Sequence, residues 1–213
     1  MLFRSFRSIT PRSTRGHGLV HMARAQEGLA EIDRALEIAR DLRHREMTCY
    51  CLWHRSEALA ALGRGEEALG DAEASLRIAR ELGHREWTAA ALRGVGIART
   101  VLEGPAAAEA TFREALAAAE GLPLFESWAA ARLALALVAR GELEEAERMA
   151  EAALAGRVPH SLFEARLAQA EVLVARGAAE AEAVIRRALE AATEEGHLAS
   201  ARRLTELIRA ARR

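Results

Sequence analysis

Residues 39–48 read ARDLRHREMT and residues 79–88 read ARELGHREWT, so seven of ten positions coincide at an offset of forty residues. A chain that repeats itself at such a period builds stacked supersecondary units, each burying its apolar face against the next. The match extends backward, with EGLAEIDRALEIARDLRHRE lying over EALGDAEASLRIARELGHRE. Three weaker copies follow: AAAEATFREALAAAEG, LEEAERMAEAALAG and AEAEAVIRRALEAATEEG. Aligned, they give a column of Leu36, Leu76, Leu116, Leu154 and Leu189, each preceded by a small residue: Ala35, Ser75, Ala115, Ala153 and Ala188. A second small column, Gly28, Ala68, Ala108, Ala146 and Ala181, has successive spacings of 40, 40, 38 and 35.

Between the copies lie further stretches of helical composition, such as TCYCLWHRSEALAALGRG and SWAAARLALALVARG. Most end at a glycine (Gly65, Gly104, Gly141, Gly177) suited to the left-handed residue that closes a helix. Alanine, leucine, glutamate and arginine dominate and lose little entropy in a helix, whereas the chain has only four prolines. The expectation is an all-α protein, an α-solenoid in which each repeat is a helix, a tight turn and a second helix. The small columns let the two helices of a hairpin approach closely, and the Leu column fills their seam.

This pattern resembles the tetratricopeptide repeat (TPR) family, a helix hairpin of about 34 residues. The family's small positions fall on Ser56–Ala68–Ser75, Gly96–Ala108–Ala115, Ala134–Ala146–Ala153 and Ala170–Ala181–Ala188, and LALALVARGELEEAERMAEAAL is the nearest match. The resemblance implies a right-handed superhelix of about eleven helices. It divides the chain into a disordered Arg/Ser-rich lead-in over 1–15 and a single repeat domain over 16–213, with a capping helix near 197–212. The spacings exceed the family's, and the proline that ends its second helix is absent. Such long-helix variants are similar to the TPR regions of bacterial signalling ATPases and of MalT-like or SARP-like regulators. No GxxxxGK[ST] phosphate loop is present, and the chain has no lysine to make one.

The resemblance also implies a ligand-facing surface on the first helix of each hairpin. Carried over, its positions are Tyr50, Trp53 and Glu57, then Arg93 and Ile97, then Trp128 and Leu135, then Glu164 and Glu171. Tyr50, Trp53 and Glu57 share one helix face by their spacing. Aromatic rings beside charges suit the capture of a peptide. The bland alternative is that the long helices bury these rings between repeats. A clamp for a C-terminal carboxylate needs lysines and asparagines, and the chain has neither.

Charge excludes other partners. Residues 1–25 hold five arginines and no acid, but the remainder holds 25 arginines against 31 acids, which leaves no basic stripe for a phosphate backbone. No apolar run reaches the length that spans a bilayer. Cys49 and Cys51 lie about 200° apart on a helix, so they neither pair nor chelate together and fit a reducing cytoplasm. The absence of lysine and asparagine, whose codons are A-rich, points to a GC-rich bacterial genome.

Two pairs have metal-compatible spacing, His17 with His21 and Cys51 with His54, but neither has further ligands nearby in sequence. No metal or cofactor is therefore expected. The acids recur at helical-surface spacing beside arginines, and no nucleophile elbow or HExxH appears, so no catalytic residue is assigned. The repeated HRE sits where one hairpin ends and the next begins. His197 occupies the same phase, but Leu124 and Ser161 replace it elsewhere, which suits a joint better than a shared catalytic task. In that joint each histidine is expected to meet the carbonyls ending the preceding helix, and Glu46 and Glu86 to face the next helix's positive end.

The sequence thus predicts a non-enzymatic, cytoplasmic scaffold for a peptide or partner domain, or for self-association. Its rival is the sensing part of a larger regulator or signalling ATPase. Direct nucleic-acid and membrane binding are not expected.

Overall fold

The computed structural model describes residues 2–156 and 159–211, and side chains within 8–156 and 161–210. The described residues are helical hairpins joined by short turns, and none of them lies in a strand. They divide into two compact units, Met1–Gly104 and Pro105–Arg213. Local chemistry accounts for the division point. Gly104 takes φ 91° and ψ 163°, a conformation open almost only to glycine, and Pro105 follows with no N–H to continue a helix.

The first unit holds α1 (Leu2–His21), α2 (Ala25–Asp41), α3 (Arg45–Ala61), α4 (Gly65–Leu82) and α5 (Arg85–Glu103). From residue 2 onward the expected disordered lead-in is part of α1, and Met1 lies outside the described residues. The reason is a face spaced at one helical turn. Ile9, Ser13, Gly16, His17 and Val20 are all buried, whereas Arg15 is exposed and Arg12 half-exposed. Gly16 and Gly28 bring α1 and α2 into backbone contact: a Cβ on Gly28 would lie 2.4 Å from the Gly16 carbonyl oxygen.

The second unit holds a 3-10 turn (Pro105–Ala108), α6 (Glu109–Ala118), α7 (Pro123–Arg140), α8 (Leu143–Ala155), α9 (Pro159–Ala175), α10 (Ala181–Glu194) and α11 (Leu198–Ala211). Helix α11 buries Ala201, Leu204 and Leu207 in a core shared with Phe163 and Ile185, and its arginines face outward.

All members of both small columns are buried, as close helix packing requires. The Leu column is not uniform: Leu36 is buried, but Leu76, Leu116, Leu154 and Leu189 are half-exposed. The small residues, not the leucines, occupy the tightest part of each hairpin. Polar atoms there are satisfied across the hairpin. The Ser75 hydroxyl donates to the Cys49 carbonyl at 2.9 Å, and the Ser127 hydroxyl donates to the Ala153 carbonyl at 2.7 Å.

Seven of the turns share one construction. Ala23, Arg43, Gly63, Gly83, Gly141, Gly177 and Gly196 all take positive φ. The N–H of the next residue then reaches back five residues, as in His44 to Ala39, Arg64 to Leu59 and Glu142 to Leu137. This is the Schellman closure of a helix. Gly63, not the expected Gly65, closes α3; Gly65 is buried at the start of α4, where a Cβ would strike Leu102 at 2.7 Å.

Candidate functional site

The greatest concentration of buried polar groups lies between α1, α3 and α5, the first helices of successive hairpins. Glu57 on α3 is its centre and is only 6% exposed. Its Oε2 meets His17 Nε2 on α1 at 2.8 Å. Its Oε1 accepts from Trp53 Nε1 at 2.8 Å and from the guanidinium of Arg93 on α5. Burial would push this carboxyl up, but the charge and hydrogen bonds of Arg93 and His17 hold it well below the usual carboxylate range. Around it His17 stacks flat on His54 at 4.3 Å, and His21 stands edge-on to His17 at 4.7 Å. Burial, then the neighbouring His17, press His54 well below the ordinary histidine value. Its Nδ1 lies 2.8 Å from the Ser13 hydroxyl.

Several residues expected to face a ligand instead tie one first helix to the next. Trp53, Glu57 and Arg93 are brought together, as above, and are buried. In the second unit Glu164 on α9 pairs with Arg132 on α7 at 2.8 Å, and Glu171 on α9 pairs with Arg203 on α11 at 2.9 Å. Trp128 is 2% exposed, and Ile97 packs on the core of the first unit. Leu135 is half-buried. The physical reason is reach. Adjacent first helices lie side by side, and Glu and Arg side chains are long enough to meet across that gap, fully buried for Glu57 with Arg93 and with the arginine still exposed for Glu171 with Arg203.

Tyr50 lies beside the buried cluster of the first unit, its ring 4.3 Å from that of His54. It is half-exposed, its hydroxyl lies 2.9 Å from Thr14 Oγ1, and its ring lies 5.9 Å from that of Trp87 on α5. Trp87, also half-exposed, was not among the expected residues. The signal was present in the repeated joint, because Trp87 stands three residues after His84 and stacks on it at 4.0 Å.

The joint histidines also differ from expectation. His44 and His84 cap the following helices: their Nδ1 atoms accept from the Met47 and Trp87 amides at 3.2 and 3.4 Å. Nδ1 must carry a lone pair to do this, so the cap needs a neutral ring. His84 Nδ1 also lies 3.2 Å from Glu86, a contact that would require the proton instead. The short residue-to-amide spacing within the first turn favours the cap. Glu46 and Glu86 stand in the first turns as expected. His197 is used differently and stacks on Phe163 at 4.7 Å.

Both thiols are buried, Cys49 against Ser75 and Cys51 in the core on the other side of α3. Burial pushes the Cys51 thiol up to about 11. Among the described residues no helix is long and apolar enough to cross a membrane. An open depression in the second unit, lined by Arg113, Leu116, Glu120, Glu126, Glu145 and Met149, has its central charges already paired, Arg113 with Glu145 at 2.7 Å.

Stacked antiparallel hairpins, closed by like turns and tied through their first helices, define an α-helical repeat protein. Residues 48–121 match the family model described as Tetratricopeptide repeat. No curated protein matches the sequence. Among solved structures, a Rap protein complexed with Competence and Sporulation Factor is similar, with TM-score 0.68 and 18% identity over 98% of this chain. NprR in complex with its cognate peptide NprX is similar with TM-score 0.74 and 14% identity over 95%. BtubC from P. vanneervenii is similar with TM-score 0.58 and 21% identity, covering 88% of this chain and 87% of BtubC. The chain spans 65% of the Rap protein and 61% of NprR.

Proposed function

We propose that the chain is a non-enzymatic protein-interaction scaffold that takes a peptide or partner segment on the first helices of its first unit. The observation that carries this is the half-exposed pair Tyr50 and Trp87 on consecutive first helices, 5.9 Å apart. Aromatic rings that bury a large area with few rotatable bonds are the usual anchors of an interface. Thr14 beside Tyr50 adds a hydroxyl for a backbone amide or carbonyl. The peptide complexes of Rap and NprR support a peptide as the class of partner.

The test is selection of binders from a displayed random-peptide library, followed by fluorescence titration of the best sequence. Tyr50→Ala and Trp87→Ala each weaken binding by roughly tenfold or more, the range of an anchor residue. Full affinity in the double variant would refute the placement. A second reading, the sensing array of a larger regulator, is favoured by the partial span of the two peptide-bound relatives. A fused or adjacent nucleotide-binding or helix-turn-helix domain at the locus would support it.

A further inference from the structure

The paired histidines of α1 lacked a third ligand in the sequence, and the fold supplies one from α3. We propose that His17, His21 and Glu57 form a binding site for a divalent transition-metal ion of borderline softness, Zn²⁺ foremost. One ligating atom from each residue lies within 4.8 Å of the others. His17 and His21 are one helical turn apart, the spacing by which two imidazoles of one helix reach a common ion. Glu57 approaches from the neighbouring helix with Oε2 already 2.8 Å from His17 Nε2. Four-coordinate zinc with bonds of about 2.0–2.2 Å holds its ligands roughly 3.4 Å apart, so one proton leaves that contact and the ion takes its place.

The surroundings fit a ligand set. Trp53 and Arg93 both hold Oε1 of Glu57, which fixes the carboxylate plane and leaves Oε2 for the ion. His17 is fixed by its stack on His54, and His21 is half-exposed but turns its Nε2 into the buried side, edge-on to His17. With three protein ligands, the fourth position of such a site is left to water. Two imidazoles and one carboxylate suit zinc rather than calcium or magnesium, which prefer all-oxygen sets. Arg93 offsets the carboxylate's charge, which further disfavours hard cations held mainly by charge. Bound there, the ion pins α1 to α3.

The untagged full chain, freed of metal by a chelator, is titrated with Co²⁺ by visible absorption and with Zn²⁺ by calorimetry. One equivalent binds, the cobalt spectrum is that of a tetrahedral site, and zinc raises the melting temperature. His21→Ala, chosen because its side chain is only half-buried, weakens binding by at least roughly tenfold while circular dichroism stays helical. A His44→Ala/His84→Ala variant binds as the parent does. Absence of saturable binding overturns the proposal, as does unchanged affinity in His21→Ala or loss of binding in the His44/His84 variant. If His17→Ala unfolds, the His21→Ala result alone decides.

Discussion

Replacing Arg43 by glycine should stabilise the first unit, although it removes a large side chain and adds no contact. Arg43 closes α2 at φ 50°, in the left-handed region, and its side chain is exposed. The same position one repeat later is Gly83, at φ 66°. An L-residue in this conformation costs about 1–2 kcal/mol. Glycine removes that strain but loses more backbone entropy on folding, a cost of about 0.5–1 kcal/mol. The net gain for Arg43→Gly is therefore about 0.5–1 kcal/mol. For a unit of this size that corresponds to a rise of about 2–8 °C in melting temperature, followed by circular dichroism or calorimetry. The reciprocal change, Gly83→Arg, should cost a similar amount through the backbone alone, since a Cβ there meets nothing within 4 Å. Arg43→Ala keeps the strain, drops the side chain, and should be nearly neutral. A lower melting temperature in Arg43→Gly would refute the reasoning, because it would mean that the side chain rather than the backbone supports the turn.

Acid should unfold the first unit in two steps. The folded state keeps His54 neutral, so stability is full above the ordinary histidine value of 6.5 and falls by about 1.4 kcal/mol per pH unit below it. Glu57, held well below 4.5, adds a second loss as pH falls through the ordinary carboxylate range. Denaturant titrations from pH 8 to 3 should show both steps, and His54→Gln should remove the upper one. Removing Arg93 leaves Glu57 buried without its main counter-charge, so Arg93→Ala should cost about 3–5 kcal/mol in a denaturant titration at pH 7. His44→Ala loses a helix cap and should cost about 0.5–2 kcal/mol by thermal melting, whereas His44→Asn, which also accepts from the first turn, should cost less.

Those elements whose cause is local were legible beforehand. The small columns announced the hairpins because only Gly, Ala and Ser permit such close helix contact, and the positions they marked are buried throughout. The N-terminal part of α1, up to residue 15, was expected as a disordered lead-in because an acid-free, arginine-rich stretch reads as solvated chain. Its ordered face depends on Gly28 and Glu57, which lie far along the sequence. The surface assignment suffered from the same limit. Position within a helix shows which side of the hairpin a residue takes. It does not show whether the neighbouring helix presents a long side chain of opposite charge, as Arg93 does to Glu57 and Arg203 to Glu171. Trp87 was overlooked because the carried-over positions begin further along α5, although the repeated joint places it three residues after His84, on which it stacks.

The ties between first helices also act as addresses. Each joins a different combination: histidine, glutamate and arginine in the first unit, arginine to glutamate and then glutamate to arginine in the second. In each unit the middle first helix supplies the acid and the helices on either side supply the base. A hairpin moved from a flank to the middle of its unit would set like charge against like, so the place of the acidic repeat is written into the flanks of its neighbours.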